Sequence, residues 1–543
     1  MDKRQKLPHI IIFNPDQWRG DFLHHAGCDA AVTPNIDQLA TEGVSFQRAY
    51  CQNPVCTPSR CSIMTGWYPH TRGHRTMHHM LHPELDEPNL LAILKREGYF
   101  VWWGGKNDLT PGQQWSDKVL GKDRYCNVKF QPMSDDWHRW YRAPTIQAND
   151  YRGMPDSDTY YSFMQGRLYS GAELEAILGP ADESNAEGDG HDDRDEAPDY
   201  GDGDWGNVLG VIDFIRSWDA SREQPLCIFL SLTFPHPEYG VEEPFFSMID
   251  RSRVPPRVPS PNWDTAKKPS ILKGIAERQN LKGWTEERWT ELRAVYLGMI
   301  ARVDHQFGLL VQVLKEKGMY DDAVISVFSD HGDFTGDYGL VEKNQNTFEE
   351  CLSRVPFIVK PPSSVTVAMQ PGRAPGQANT CDALVELVDF SATVYDLAGI
   401  EPGYWSFGKS LLPLIRGEIN PQDHRDAVFC EGGRLAGEVQ CMERESKSST
   451  STSGSYWPRV SLQMDDDGPY HTKAAMCRTS RFKYVMRLYE TDELYDLEND
   501  PGETTNLIDD PAMNTVVVTS LRNRLLRWYM ETVDVVPLKT DGR

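Results

Sequence analysis

The sequence predicts an α/β fold, with a mostly parallel sheet flanked by helices and a smaller α+β unit towards the C-terminal end. Short β-branched runs stop abruptly at turn residues, amphipathic stretches lie between them, and the alternation fades after about residue 400. Residues 1–400 are therefore expected as the main domain and 401–543 as a C-terminal subdomain.

"HIIIFN" at residues 9–14 reads as a buried strand, because an unbroken apolar run meets Asn-Pro at its end. "TPNIDQLATEG" reads as a helix with Thr33 as N-cap, Pro34 in its first turn and Gly43 beyond its end. A helix is expected over 59–65, another in "PNLLAILKREG" (88–98), and a strand in "YFVWWGG" (99–105). "LCIFLSL" (226–232), "AVISVFS" (323–329) and "PFIVK" (356–360) complete the main strands, with helices near 285–317 and 384–398. Beyond residue 400, "AAMCRT" and "RFKYVMRL" read as short strands before "ELYDLENDPGETTNL" and a last amphipathic helix near 519–532.

Two segments read as solvated insertions: the acidic, Gly-rich stretch 182–204 and the low-complexity "SKSSTSTSGS" at 446–455. Within the first, Asn185, Glu187, Asp189, Gly190 and Glu196 have spacings resembling a calcium loop, with Asn in the usual first Asp position and no partner helix expected downstream. The segment 135–169 is rich in Trp and Tyr, which can wall a pocket or form a subunit contact in a homo-oligomer.

A net charge of −24 argues against general affinity for nucleic acid or an anionic membrane, because the average surface would repel both. It leaves room for a small anion in a locally basic pocket. With no apolar signal core and no membrane-length run, the expected location is cytoplasmic. The eleven cysteines show no paired CxxC spacing, so reduced structural thiols are expected for all but one.

The exception is Cys56, in Cys56-Thr57-Pro58-Ser59-Arg60. It precedes a helix whose free N–H groups favour negative charge, and Arg60 adds a fixed cation with forked donors. A buried structural thiol would leave Arg60 without a task. Asp16 and the pair Asp330-His331 each follow a buried strand directly, where α/β folds present their ligands.

Cys56 to Arg60 resembles the C-x-P-S-R signature of the formylglycine-dependent (type I) sulfatases, within the alkaline phosphatase superfamily. "TPNIDQLATEGVSFQRAY", "MTGWYPH", "SDHGDFTGDYGLVEKN", "RVPFIV" and "ELYDLENDPGETTNL" resemble that family in the family's order. The resemblance implies an alkaline-phosphatase-like fold, residues 1–400 as the catalytic domain, and a small sulfate ester as substrate. It further implies that a formylglycine-generating enzyme oxidises Cys56 during synthesis. A sulfated serine or thiol must be cleaved again by water, whereas a sulfated geminal diol expels sulfate with its second hydroxyl.

By the same resemblance, Asp16, Gln17, residue 56, Asp330 and His331 would hold one divalent metal. Ca²⁺ is the first expectation, with Mn²⁺ or Mg²⁺ as alternatives, and Asn14 could complete the shell in place of Gln17. Lys106, Lys343 and His236 match positions that contact the sulfate, with His236 or Lys343 as proton donor to the leaving group.

Two departures stand out. Many sulfatases carry Asp-Asp-Gln at the first strand end, but this chain has Pro15-Asp16-Gln17, like choline sulfatases and phosphonate monoester hydrolases. The second reading of function is therefore a phosphonate monoester hydrolase or phosphodiesterase. The family commonly reads Gly-Lys-x-His at Lys106, and here Asp108 replaces that histidine. Asp108, or one of His74, His78 and His79, is expected to take its proton-accepting role. A silent relative that only binds sulfated glycans is disfavoured, since Cys56, Arg60, Asp16, Asp330 and His331 are all retained.

Overall fold

The computed structural model describes residues 7–82, 87–111, 125–130, 140–141, 164–170, 202–219, 222–370, 372–438, 456–463 and 469–538. The calcium-loop-like positions, the low-complexity stretch and most of the aromatic segment lie outside them.

A nine-stranded sheet forms the centre. Its strands are β1 (His9–Asn14), β2 (Val44–Tyr50), β3 (Phe100–Gly105), β4 (Val128–Phe130), β5 (Leu226–Ser231), β6 (Ala323–Phe328), β7 (Arg354–Val355), β8 (Phe357–Lys360) and β9 (Thr380–Glu386). The order is β7-β2-β8-β6-β1-β5-β3-β4, with β9 alongside β2. The run β6-β1-β5-β3-β4 is parallel, whereas β8 lies antiparallel to both β6 and β2.

Among the helices are α1 (Pro34–Glu42), α2 (Cys56–Thr65), α3 (Leu90–Arg96), α4 (Asp202–Ser217), α5 (Glu286–Glu316), α6 (Asp389–Ala398), α7 (Trp457–Gln463) and α8 (Thr519–Thr532). Alternate residues of β1 feed opposite layers: Ile11 and Phe13 join the α1, α4 and α5 side, Ile10 and Ile12 the α2, α3 and α6 side. Both faces are covered, which is why these strands read as continuous apolar runs.

A second, antiparallel sheet runs β10 (Val428–Gly432), β11 (Ala474–Arg478), β12 (Phe482–Arg487), β13 (Glu493–Asp496) in spatial order. Helix α8 packs on it through Leu521, Leu525 and Trp528, whose ring stacks on Phe429 at 4.7 Å.

Four expectations need correction. Residues 384–386 are not helical: they finish β9, pairing in parallel with Arg48, Ala49 and Tyr50 of β2, and the helix begins only at Asp389. Sheet pairing overrides local propensity there. Strand β2 itself was not anticipated. Helix α4 starts at Asp202, inside the acidic stretch expected to be loop. Helix α2 starts at Cys56 rather than Ser59, since Pro58 falls in the first turn, where a missing N–H costs nothing.

Because β1, β3, β5 and β6 are parallel and adjacent, their carboxyl ends lie side by side. Asn14 is level with Ser231, and Gly105 with Ser231 from the other side. Gly105 has φ +85°, and a Cβ there would sit 1.8 Å from Ser231 O. Gly105→Ala is expected to destabilise by about 1–3 kcal/mol or more, combining overpacking with a left-handed backbone. Gly98→Ala, at φ +95° with open space around the position, is expected to cost less. Calorimetric melting of the two variants checks the ranking.

Candidate active site and metal centre

The loops after β1, β3 and β6 meet the first turn of α2. Asp16 leaves β1 two residues past its end, Lys106 follows β3 directly, and Asp330-His331 follow β6. Asp16, Cys56, Asp330 and His331 are all buried, and one ligand atom from each lies within 4.8 Å of the others.

Arg60, one turn along α2 from Cys56, ties this group together. Its Nε donates to Asp330 Oδ2 at 2.7 Å, and its terminal nitrogens to Asp16 Oδ2 at 2.9 Å and Asn14 Oδ1 at 2.9 Å. It also donates to the Ser231 hydroxyl. Ser59 Oγ adds a bond to Asp330 O at 2.6 Å, pinning α2 to the β6 loop. Asn14 is thus committed to Arg60 and, through its amide, to Phe328 O, not to a metal shell.

Lys106 Nζ is 2.6 Å from Asp16 Oδ2, 3.4 Å from Cys56 Sγ and 3.1 Å from Asp108 Oδ2. Asp108 is also 3.8 Å from Arg60 Nε. Burial alone would raise the Asp16 carboxyl, but Lys106 and Arg60 together hold it well below the usual range. Cys56 behaves oppositely. Burial first, then Asp16, pushes its thiol far above the ordinary value, against the pull of Lys106 and Lys343.

His331 Nε2 is 3.2 Å from Cys56 Sγ and 3.6 Å from Asp16 Oδ1, while Nδ1 lies 3.0 Å from Gly332 O. A carbonyl only accepts, so Nδ1 carries the proton and Nε2 turns its lone pair inwards. Burial lowers the His331 pKa, which keeps the ring neutral and fit to ligate. Two carboxylates, a neutral imidazole and residue 56, converging and buried, fit one divalent cation.

Gln17, at φ +65°, bonds Asp330 Oδ1 through its backbone N–H at 3.1 Å. Its side-chain amide donates to Asp333, and its Oε1 accepts from Lys343 Nζ at 2.6 Å. Lys343 continues to His236 Nε2 at 2.9 Å. Burial, reinforced by Lys343 and Lys106, holds His236 well below the usual histidine range.

Asp16, Gln17, Cys56, Arg60, Lys106, Asp108, His236, Asp330, His331 and Lys343 thus form one connected group. His74 does not join it: its ring bonds His79 O at 2.9 Å and Glu87 Oε1 at 3.1 Å.

The sequence reading missed Ser231 behind Arg60, and Asp333, which accepts from Gln17, from Tyr239 at 2.9 Å and from Thr335. Asp333 lies two residues beyond His331 in "SDHGD", a signal that was available. Tyr456 and Arg459 were also missed, one 2.9 Å from His236 Nε2 and the other bonding Glu342 at 2.7 Å. They follow a stretch that reads as featureless loop, so nothing in the sequence marks them.

The sequence profile described as Sulfatase matches residues 8–400. The chain belongs to the sulfatase family. It is a sulfatase-family hydrolase of the alkaline phosphatase superfamily, with the family's mostly parallel sheet and small antiparallel C-terminal sheet. Among curated relatives, the choline-sulfatase of Rhizobium meliloti (strain 1021) is 26% identical, over 99% of this chain and 90% of its own length. The multifunctional alkaline phosphatase superfamily protein PehA of Trinickia caryophylli is 23% identical, over 97% and 96%. The solved phosphonate monoester hydrolase of Agrobacterium radiobacter shares the fold, with a TM-score of 0.64, 22% identity and coverage of 97% and 96%.

If the buried cluster holds this sulfatase-family chain's metal, Asp330→Asn and His331→Ala are expected to weaken divalent-metal affinity by at least about 10-fold. His74→Ala is expected to retain the metal, and elemental analysis of the three purified variants checks this.

Proposed function

We propose that this hydrolase cleaves a small organic or saccharide sulfate ester, with residue 56 as formylglycine. The observation that carries the reading is the convergence of Lys106, Arg60 and His331 with two carboxylates around residue 56. An aldehyde at that position supplies, once hydrated, a geminal diol that can attack and later expel sulfate. A divalent metal on Asp16, Asp330, His331 and residue 56 would lower the pKa of that diol and polarise the ester. One imidazole among the donors favours Mn²⁺ over Ca²⁺, whose sites are built from oxygen.

The side chains divide the remaining work. Arg60 fixes the two carboxylates, and Lys106 and Lys343 neutralise the ester's non-bridging oxygens in a dry site. His236 donates Nδ1–H to Pro237 O, so its neutral ring has no proton at Nε2 to give. Lys343 is then the proton donor to the leaving oxygen. Asp108, against Lys106, accepts the proton when the aldehyde is restored.

A second reading, phosphonate monoester or phosphodiester hydrolysis, is favoured by one observation. The first strand end carries a single carboxylate, Asp16, and His331 joins it in the cluster. Similarity to solved phosphonate monoester hydrolases supports it too. The charge demands of the two transition states are alike, so one site can serve both.

With protein from a host that makes formylglycine, kcat/KM for an aryl sulfate is expected to exceed that for an aryl phosphonate monoester. Cys56→Ala should abolish both. The reverse preference would make the sulfatase label one of ancestry only. Asp108→Asn is expected to slow turnover by about 10²–10⁴-fold while still releasing a rapid first equivalent of alcohol. Stopped-flow kinetics would expose that burst, and turnover at the unaltered rate would remove Asp108 from the mechanism.

A further inference from the structure

Helix α7 comes from the C-terminal half of the chain and docks on the loop carrying Lys343. Arg459 donates to Glu342 Oε2 at 2.7 Å and to Lys343 O at 3.1 Å, and its guanidinium lies over the Tyr456 ring at 4.5 Å. This places the Tyr456 hydroxyl 2.9 Å from His236 Nε2, the atom that Lys343 Nζ also approaches to 2.9 Å. An imidazole nitrogen has one lone pair, so Nε2 serves one of these donors at a time.

Lys343 Nζ has three partners around it: it donates to Gln17 Oε1 at 2.6 Å and to His236 Nε2 at 2.9 Å, and it is ion-paired with Glu342 Oε1 at 2.9 Å. A leaving-group oxygen adds a fourth. Gln17 and Glu342 are themselves held, by Asp333 and Arg459, so His236 Nε2 is the acceptor that a second donor can take over.

We propose that Tyr456 is a positioning residue for leaving-group protonation: by taking over His236 Nε2 it releases one Lys343 proton for the leaving oxygen. As the ionised hydrate oxygen of residue 56 bonds to sulfur, the bond from sulfur to the leaving oxygen breaks, and that oxygen keeps the electron pair and takes the proton from Lys343 Nζ. The neutral amine regains a proton from solvent once the alcohol has left. The inference rests on the sulfate-ester reading above and adds a residue from a segment remote in sequence from the site motifs.

The test uses the full chain with formylglycine at position 56 and a series of sulfate esters, from 4-nitrophenyl sulfate to phenyl and alkyl sulfates. Tyr456→Phe is expected to lower kcat/KM about two- to threefold for the nitrophenyl ester, whose leaving group needs no proton. For the poorer leaving groups the loss is expected to reach about 10–100-fold. Affinity for inorganic sulfate, which has no leaving group, is expected to stay within about twofold by calorimetry, showing that the variant is folded and the anion site intact. A loss uniform across the series, or no loss, overturns the role of Tyr456 while leaving the sulfate-ester reading standing. A wild-type enzyme that cleaves none of the sulfates overturns that reading and this inference with it.

Discussion

Two aspartates, from strand ends far apart in sequence, lie buried within reach of the same guanidinium. Arg60 joins Asp16 and Asp330 through separate nitrogens and takes Asn14 and Ser231 with what remains. Its planar fork can do this where a lysine could not, because each nitrogen has a fixed direction. Losing one partner of a buried ion pair typically costs about 3–5 kcal/mol, since the other charge is left uncompensated. The ends of β1, β5 and β6 and the first turn of α2 are therefore locked in one arrangement, and Cys56 is delivered to its centre.

The same linkage solves a charge problem. An acidic protein must hold an anion, and must do so where two carboxylates already sit. Arg60 and Lys106 offset Asp16, Asp330 and Asp108, and a metal would tip the balance further towards positive. Lys343 supplies a third cation, held by Gln17, Glu342 and His236. The overall charge of −24 therefore says little about the site, because the local field is set by groups within a few ångströms in a medium that screens poorly.

Burial also sets the character of residue 56. Burial, with Asp16 beside it, drives a thiol at this position away from ionisation. An aldehyde hydrate does not depend on thiolate formation and restores itself after each cycle.

The sequence by itself determined the α/β architecture, the strands that carry the site and most of its residues. Those signals are local: an apolar run ending in a polar residue, a proline in a first helical turn, a carboxylate or histidine just past a strand. Tertiary structure alone decided the rest. It made 384–386 a strand by pairing them with β2, turned Gln17 towards Lys343 and His74 towards Glu87, and brought Tyr456 to His236. Such outcomes depend on which groups meet across hundreds of residues, and a buried hydrogen bond or strand pairing can outweigh the weak local preferences that sequence reading relies on.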